Sequence, residues 1–298
     1  DFDVRYGEVH GLLGENGAGK STLMKVLFGQ EQPESGKIFY KGKEVNISSP
    51  LAALKLGIGM VHQHFMLVPS LTVTENLVIG MEPRKSGIFY DQSAAEKMVK
   101  EAAEKYNFKL DPTAKIQDLP VGQKQKVEIL KVLIRGAKII ILDEPTAVLT
   151  PQETKELFTE LKGLKSQGYT VIFISHKLNE VTELCDRVTV MRAGKTIGVR
   201  NIADVTEGDI SRMMVGRDIV LKIDKDRAAP GEKVLSVRHV TKYILDTKKI
   251  LDDVSFCVRR GEILGVAGVE GNGQKEISEI ITGLDRIFEG EVRATPEL

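Results

Sequence analysis

The chain has 298 residues, enough for one large domain or two smaller ones with a real core. Lysine plus arginine equals aspartate plus glutamate, 42 against 42, so neither a basic field for nucleic acid nor an acidic tail is present. Cys185 and Cys257 lie far apart without metal-ligand spacing and read as reduced, buried thiols, while apolar runs such as Ile139 to Leu142 are too short to cross a bilayer. The N-terminus carries no signal-peptide pattern, so any membrane role must come through a partner.

The opening DFDVRYGEV reads as already inside a strand, and without an initiating methionine the chain is taken as a fragment lacking an upstream segment. Val9 to Leu13 reads as a buried strand and Ser21 to Phe28 as a helix. Gly36 to Tyr40 and Lys43 to Ile47 form a hairpin-like pair around Lys41-Gly42, Ser49 to Leu56 a capped helix, and Gly59 to Gln63 a strand ending on glutamine. Leu67 to Gly80 is loop then helix, and Pro83 to Gly87 a turn. Gln92 to Tyr106 is an amphipathic helix with Ala95, Met98, Val99, Ala102 and Tyr106 on one face. Leu110 to Leu119 is loop-like, and helical periodicity returns from Gln123 to Arg135. Lys138 to Leu142 is continuously apolar, as a parallel strand covered on both faces should be, and it runs into Asp143-Glu144-Pro145. Pro151 opens a helix with Leu157, Phe158, Leu161 and Leu164 at helical spacing, followed by a strand from Thr170 to Ile174 that ends at Ser175-His176. This alternation predicts an α/β fold with a doubly wound, mainly parallel sheet.

Residues 216–233 shift to charge around Ala228-Ala229-Pro230-Gly231 and read as a linker between a first unit, 1–215, and the start of a second, 234–298. The second repeats the first. FDVRYGEVHGLLGENGAGK from Phe2 aligns without gaps on FCVRRGEILGVAGVEGNGQ from Phe256, and the same offset carries Gly29 onto Gly283 and Gly36 onto Gly290.

The chemistry centres on Gly14, Glu15, Asn16, Gly17, Ala18, Gly19, Lys20, Ser21 and Thr22, which fit G-x-x-x-x-G-K-[ST] between a strand and a helix. The glycines let backbone N–H groups converge on phosphate, Lys20 supplies charge for the β/γ oxygens, and the Ser21 hydroxyl suits Mg²⁺. An acidic pair after an apolar strand suits ATP hydrolysis: Asp143 to hold Mg²⁺ through water, Glu144 to orient and deprotonate the attacking water.

Phosphate loop, Gln63, Leu119-Pro120-Val121-Gly122-Gln123, the acidic pair and Ser175-His176, in this order, resemble the ATP-binding subunits of ABC transporters over the whole chain. The resemblance implies a P-loop ATPase fold with a helical subdomain at about 65–135 that docks on transmembrane permease subunits at the cytoplasmic face, with an extracytoplasmic binding protein acting indirectly. It makes Gln63 the residue that meets Mg²⁺ and the lytic water, His176 the switch at the γ-phosphate, and Leu119 to Gln123 the signature segment. Two fused units with HQHFMLVPSLTVTENL and DEPTAVLTPQE resemble the importers of simple sugars and nucleosides, and His64 to Leu67 leans to the nucleoside members. A soluble tandem ABC ATPase and a non-hydrolysing sensor stand as alternatives.

The chain departs from that pattern in three places. Thr150 replaces the aspartate of the D-loop, Pro120 replaces the signature serine, and in the second loop Gln274 and Lys275 stand at the lysine and serine positions. In the family the halves pack head to tail, so Pro120 would face the second loop. The expectation is a first site that turns over ATP and a second that binds weakly or holds nucleotide uncleaved.

Overall fold

The computed structural model describes residues 1–85, 89–216, 229–244, 248–268, 271–286 and 289–295, and the chain divides into two units, Asp1–Val220 and Leu221–Leu298. In the first unit β1 (Val9–Leu13) leads through the glycine-rich turn to α1 (Lys20–Leu27), then β2 (Ile38–Tyr40), β3 (Lys43–Val45), α2 (Pro50–Lys55) and β4 (Ile58–Val61). Next come α3 (Val73–Val78), β5 (Arg84–Lys85), β6 (Phe89–Tyr90), α4 (Gln92–Lys105) and α5 (Val121–Ile134). The unit continues with β7 (Ile139–Asp143), α6 (Pro151–Ser166), β8 (Thr170–Ser175), α7 (Leu178–Leu184), β9 (Arg187–Arg192), β10 (Lys195–Asn201) and α8 (Glu207–Val215).

Six strands form one sheet in the order β10-β9-β1-β8-β7-β4, parallel throughout except for β10 against β9. Its central strands are apolar on both faces because both are covered. Ile140, Leu142, Val171 and Phe173 face a core completed by Leu77, Val99, Leu130 and Leu161; Ile141, Ile172 and Ile174 face another, with Met24, Ala53 and Ile58. All parallel strands therefore point their C-terminal ends the same way, and the turns after β1, β4, β7 and β8 carry the predicted functional residues.

The helices begin and stop where local chemistry directs. Ser49 caps α2, and Thr72, Thr150 and Thr206 close capping boxes on Glu75, Glu153 and Asp209. Helix α5 starts at Val121, earlier than the periodicity indicates, because Pro120 at its N-cap has φ −56°, already suited to helix entry.

Several expectations need correction. Residues 1–8 form no strand: Arg5 donates its N–H to Glu8 Oε1 at 2.7 Å and Gly7 turns the chain at φ 75°, so pairing begins at Val9. Arg84–Lys85 and Phe89–Tyr90 make a small antiparallel ribbon where only a turn was expected, with Gly87 outside the described residues. The strand before Gln63 ends at Val61, and Ile116–Asp118 adds a short 3₁₀ turn within the loop 110–119. Cys185 is buried, and burial pushes its thiol pKa up, whereas Cys257 is only partly buried. Most of the expected linker, 217–228, lies outside the described residues; Gly216 is the left-handed C-cap of α8.

The second unit holds β11 (Lys233–Ile244), β12 (Lys248–Arg259), α9 (Gln274–Ile281) and β13 (Glu289–Ala294), its strands antiparallel in the order β12-β11-β13 over a small core of Val237, Val240, Leu251, Ile277 and Ile280. The repeat is visible in its backbone. Gly7, Gly17, Gly19, Gly29 and Gly36 have φ of 75, 80, 93, 75 and 105°, and their counterparts Gly261, Gly271, Gly273, Gly283 and Gly290 have 76, 87, 93, 74 and 93°. One part fails to match: residues 263–267, aligned with β1, form no strand, and Ile263 is 84 % exposed. In the first unit β1 is held by β8 and β9, whereas residues 263–267 pair with no strand among the described residues.

Candidate nucleotide-binding site

The turn from Gly14 to Thr22 sits at the C-terminal end of the central strand β1. Glu15, Asn16 and Gly17 form its exposed crest, Ala18 and Lys20 are buried, and Ser21 and Thr22 are exposed in the first turn of α1. Gly14 has no room for a Cβ, which would run into the Met191 carbonyl oxygen and come within 2.9 Å of the Ala18 Cβ. Gly17 and Gly19 take the left-handed conformation that glycine adopts without penalty. Ala18 N–H bonds Glu15 O at 3.1 Å, whereas the N–H groups of Gly17, Gly19, Lys20, Ser21 and Thr22 meet no acceptor among the described residues. A row of unsatisfied donors at a helix N-terminus is an anion cradle, and a polyphosphate fits it.

Lys20 is 6 % exposed, and its Nζ donates to Gly14 O at 2.8 Å and Glu15 O at 3.1 Å, so the side chain folds back under the loop. Burial pushes its pKa down, and the carboxylates of Glu144 and Asp143 pull it back up. Ser21 Oγ donates to Asp143 Oδ1 at 3.3 Å. Burial pushes the Asp143 carboxyl above its ordinary range; the Ser21 hydrogen bond opposes this, Glu144 adds to it, and His62 and Lys20 oppose it. Ser21 and Asp143 are thus paired oxygen donors that could hold Mg²⁺. No group of three or more His, Cys, Asp or Glu forms a metal cluster among the described residues. A hard cation here would complete its shell with phosphate oxygens and water, as Mg²⁺ does.

Glu144 follows β7 in a strained backbone conformation, φ 46°, and its N–H bonds Ile174 O at 3.1 Å. The twist brings its carboxylate to the ends of three strands. Gln63 Nε2 donates to Oε2 at 3.4 Å, and His176 Nδ1 lies 3.1 Å from Oε1. The structure therefore gathers Gln63, Glu144 and His176, with Asp143 and Lys20 adjoining through the electrostatics above. The amide nitrogen of Gln63 is engaged by Glu144.

Two supporting residues escape sequence reasoning. Glu180, 5 % exposed on α7, accepts hydrogen bonds from Thr146 Oγ1 at 2.7 Å and Ser175 Oγ at 3.1 Å, and Lys177 Nζ lies 2.9 Å from its other oxygen. Glu180 and Thr146 thereby tie the turn after Glu144 to the strand end that carries His176. An acid five residues past Ser175 on an otherwise unremarked helix gives no motif by which to find it.

Leu119, Pro120, Val121, Gly122 and Gln123 stand apart from this cluster. They form the start of α5, where Gly122 N–H donates to Glu153 Oε1 at 3.1 Å. Among the described residues no hydrogen bond or ion pair joins them to the phosphate loop or to Glu144. In the second unit, Gln274 begins α9 as Lys20 begins α1, and its side-chain amide lies over Gly268, leaving no room there for a Cβ.

A family model described as ABC transporter matches residues 1–147. The guanosine import ATP-binding protein NupO of Bacillus subtilis is 49 % identical over 98 % of this chain and 57 % of its own length. The glucose import ATP-binding protein TsgD13 of Haloferax volcanii is 45 % identical over 98 % of this chain and 58 % of its own. This chain spans little more than half the length of these curated relatives. The solved structure of cbiO1 from Clostridium perfringens, part of the ABC transporter complex cbiONQ, superposes with a TM-score of 0.59 at 31 % identity over 68 % of this chain and 80 % of its own. The chain belongs to the ABC transporter family as an ATP-binding domain.

Proposed function

We propose that the chain is the motor part of an ABC importer for nucleosides, hydrolysing ATP to ADP and phosphate and driving transmembrane permease subunits from the cytoplasmic face of the membrane. The observation that carries this reading is the convergence of Gln63 and His176 on the carboxylate of Glu144, beside a buried lysine and a cradle of unsatisfied N–H groups. Gly14 to Thr22 would bind the phosphates, with Lys20 released from Gly14 O and Glu15 O to meet them. Glu144 would take the proton of the attacking water, a contribution of about 10²–10⁴-fold. Gln63 would orient that water and His176 would contact the γ-phosphate. Ser21, Asp143 and Gln63 would hold Mg²⁺, which when bound neutralises charge on the β and γ oxygens.

The guanosine and nucleoside import relatives support the nucleoside assignment. The second reading, a simple-sugar importer, draws on the similarly close glucose and ribose import relatives. No helix among the described residues is long and apolar enough to cross a membrane. In this reading separate membrane subunits carry the transport path, served from outside by a binding protein. The second unit would bind nucleotide weakly or hold it uncleaved, since Gln274 stands where the first unit has Lys20.

The test is uptake of labelled nucleoside and of labelled ribose or galactose in cells lacking the full-length gene, restored with wild type or Lys20→Ala. Nucleoside uptake rescued only by wild type is the expected result. Loss of sugar uptake alone would move the assignment to sugars. Unchanged uptake of both would rule out these substrates and return the soluble reading.

A further inference from the structure

Residues 62–70, just after β4 and containing Gln63, have no regular secondary structure, yet two of them are held by side chains at both the backbone N–H and the C=O. Met66 N–H donates to Glu128 Oε1 at 2.5 Å and Met66 C=O accepts from Lys131 Nζ at 3.0 Å. Two residues on, Val68 N–H donates to Asn76 Oδ1 at 2.7 Å and Val68 C=O accepts from Asn76 Nδ2 at 3.1 Å. This is the alternation of a strand pairing with a neighbour, reproduced by side chains of α5 and α3. The side chains of Met66 and Val68 meanwhile face outward, 64 % and 41 % exposed.

Glu128 and Lys131, three residues apart on one helix, would ordinarily meet each other on the surface. Here no ion pair between them is found among the described residues; each goes to the Met66 peptide instead. Glu128 is 5 % exposed, so its carboxylate depends on this partner for its place in the fold. Lying six residues along α5 from Gly122, it sits about 9 Å from the helix start that carries Pro120 to Gln123.

We propose that Glu128 and Lys131 are positioning residues that clamp the loop after Gln63 to helix α5, so that this loop and the Leu119 to Gln123 segment move as one body. A push on the exposed Met66 side chain then shifts the signature segment, and nucleotide engagement there shifts Met66. The inference rests on the nucleotide-binding reading for what engages the signature, whereas the clamp itself does not.

The test is hydrogen exchange of the full-length protein, without nucleotide and with saturating MgATP, in wild type and in Glu128→Ala, Glu128→Gln, Lys131→Ala and Lys131→Arg. Without nucleotide, the alanine variants should raise exchange at Met66 and its neighbours about tenfold, the loss of one charge-assisted hydrogen bond. With MgATP, wild type should show protection changes at both 64–68 and 119–123, and Lys131→Ala only at 119–123. The Gln and Arg variants, which keep an acceptor and a donor, should restore the joint response. Unchanged exchange at 64–68 in both alanine variants would overturn the clamp. A wild-type MgATP response at 119–123 that leaves 64–68 untouched would overturn the coupled motion. Failure of a fluorescent ATP analogue to bind wild type would overturn the nucleotide reading, leaving the clamp to be decided by the nucleotide-free arm. Lys131 is only partly buried, so its variants remain informative if Glu128→Ala does not fold.

Discussion

Glu153 joins the beginnings of two helices, and replacing it should cost more than an ordinary surface mutation. Its Oε2 accepts from Thr150 N–H and Thr150 Oγ1, each at 2.9 Å, and its Oε1 accepts from Gly122 N–H at 3.1 Å. Glu153→Ala removes one half of the capping box on α6, about 1 kcal/mol, and leaves Gly122 N–H without its acceptor, about 1 kcal/mol for a partly buried donor. The sum, about 2 kcal/mol, corresponds to a melting shift of about 4–8 °C for a unit of this size. Thr150→Ala, which leaves the Gly122 bond in place, should lose about half as much. Thermal melts of the first unit's transition at a series of pH values would measure both. The Thr150 N–H, foremost, holds the Glu153 carboxyl below the ordinary carboxylate range in the folded state, with its hydroxyl and Gly122 N–H adding to this. Because the folded pKa is depressed, this stabilisation is full above the unfolded pKa and fades as pH falls through the folded one. The gap between wild type and Glu153→Ala should therefore be complete at pH 7 and shrink on acidification below about pH 4.5. A gap under about 0.5 kcal/mol at pH 7, or one independent of pH, would refute the reasoning.

Other changes read the site directly. Glu144→Gln should lower ATP hydrolysis about 10²–10⁴-fold while leaving MgATP bound, measured by phosphate release alongside nucleotide titration. Gly14→Ala should weaken nucleotide binding about tenfold or more, because its Cβ meets the backbone carbonyl of Met191, which cannot step aside as a side chain would. Under the proposed reading, in which the site built on Lys20 and Glu144 carries the turnover, Gln274→Lys should leave ATP turnover of the full-length protein almost unchanged. A large rise would show the glutamine to be the site's main defect.

What the sequence revealed was chemistry tied to local pattern. The glycines of the phosphate loop, the apolar run into Asp143-Glu144 and the strand ending at His176 announce themselves because backbone geometry and burial on both faces permit few residue types there. What it hid depends on distant contacts. The stretch 178–215 carries α7, β9, β10 and α8, and its short apolar segments become strands only because Arg187 to Val190 finds β1 to pair with. Glu180 looks like any solvated acid until Thr146 and Ser175 close on it. The same dependence works in reverse at residues 263–267, apolar and strand-like in composition but without the neighbours that give β1 its place. That Glu144 sits at positive φ was equally unreadable, since nothing in Asp-Glu-Pro requires it.

The position of β1 at the centre of the sheet also has a consequence for biosynthesis. Val9 pairs with Val171 and His10 with Arg187, so β1 is completed by two strands made much later. At roughly 5–20 residues per second, β1 and its glycine loop wait on the order of 10–35 s, their apolar edges unpaired, before β9 arrives. Helices α3, α4 and α5, whose contacts with one another are closer in sequence, can form in the interval. The phosphate cradle, made well before those strands, is thus among the last parts of the unit to acquire its shape. A ribosome paused before Arg192 would display a nascent chain with its helical region folded and no nucleotide site.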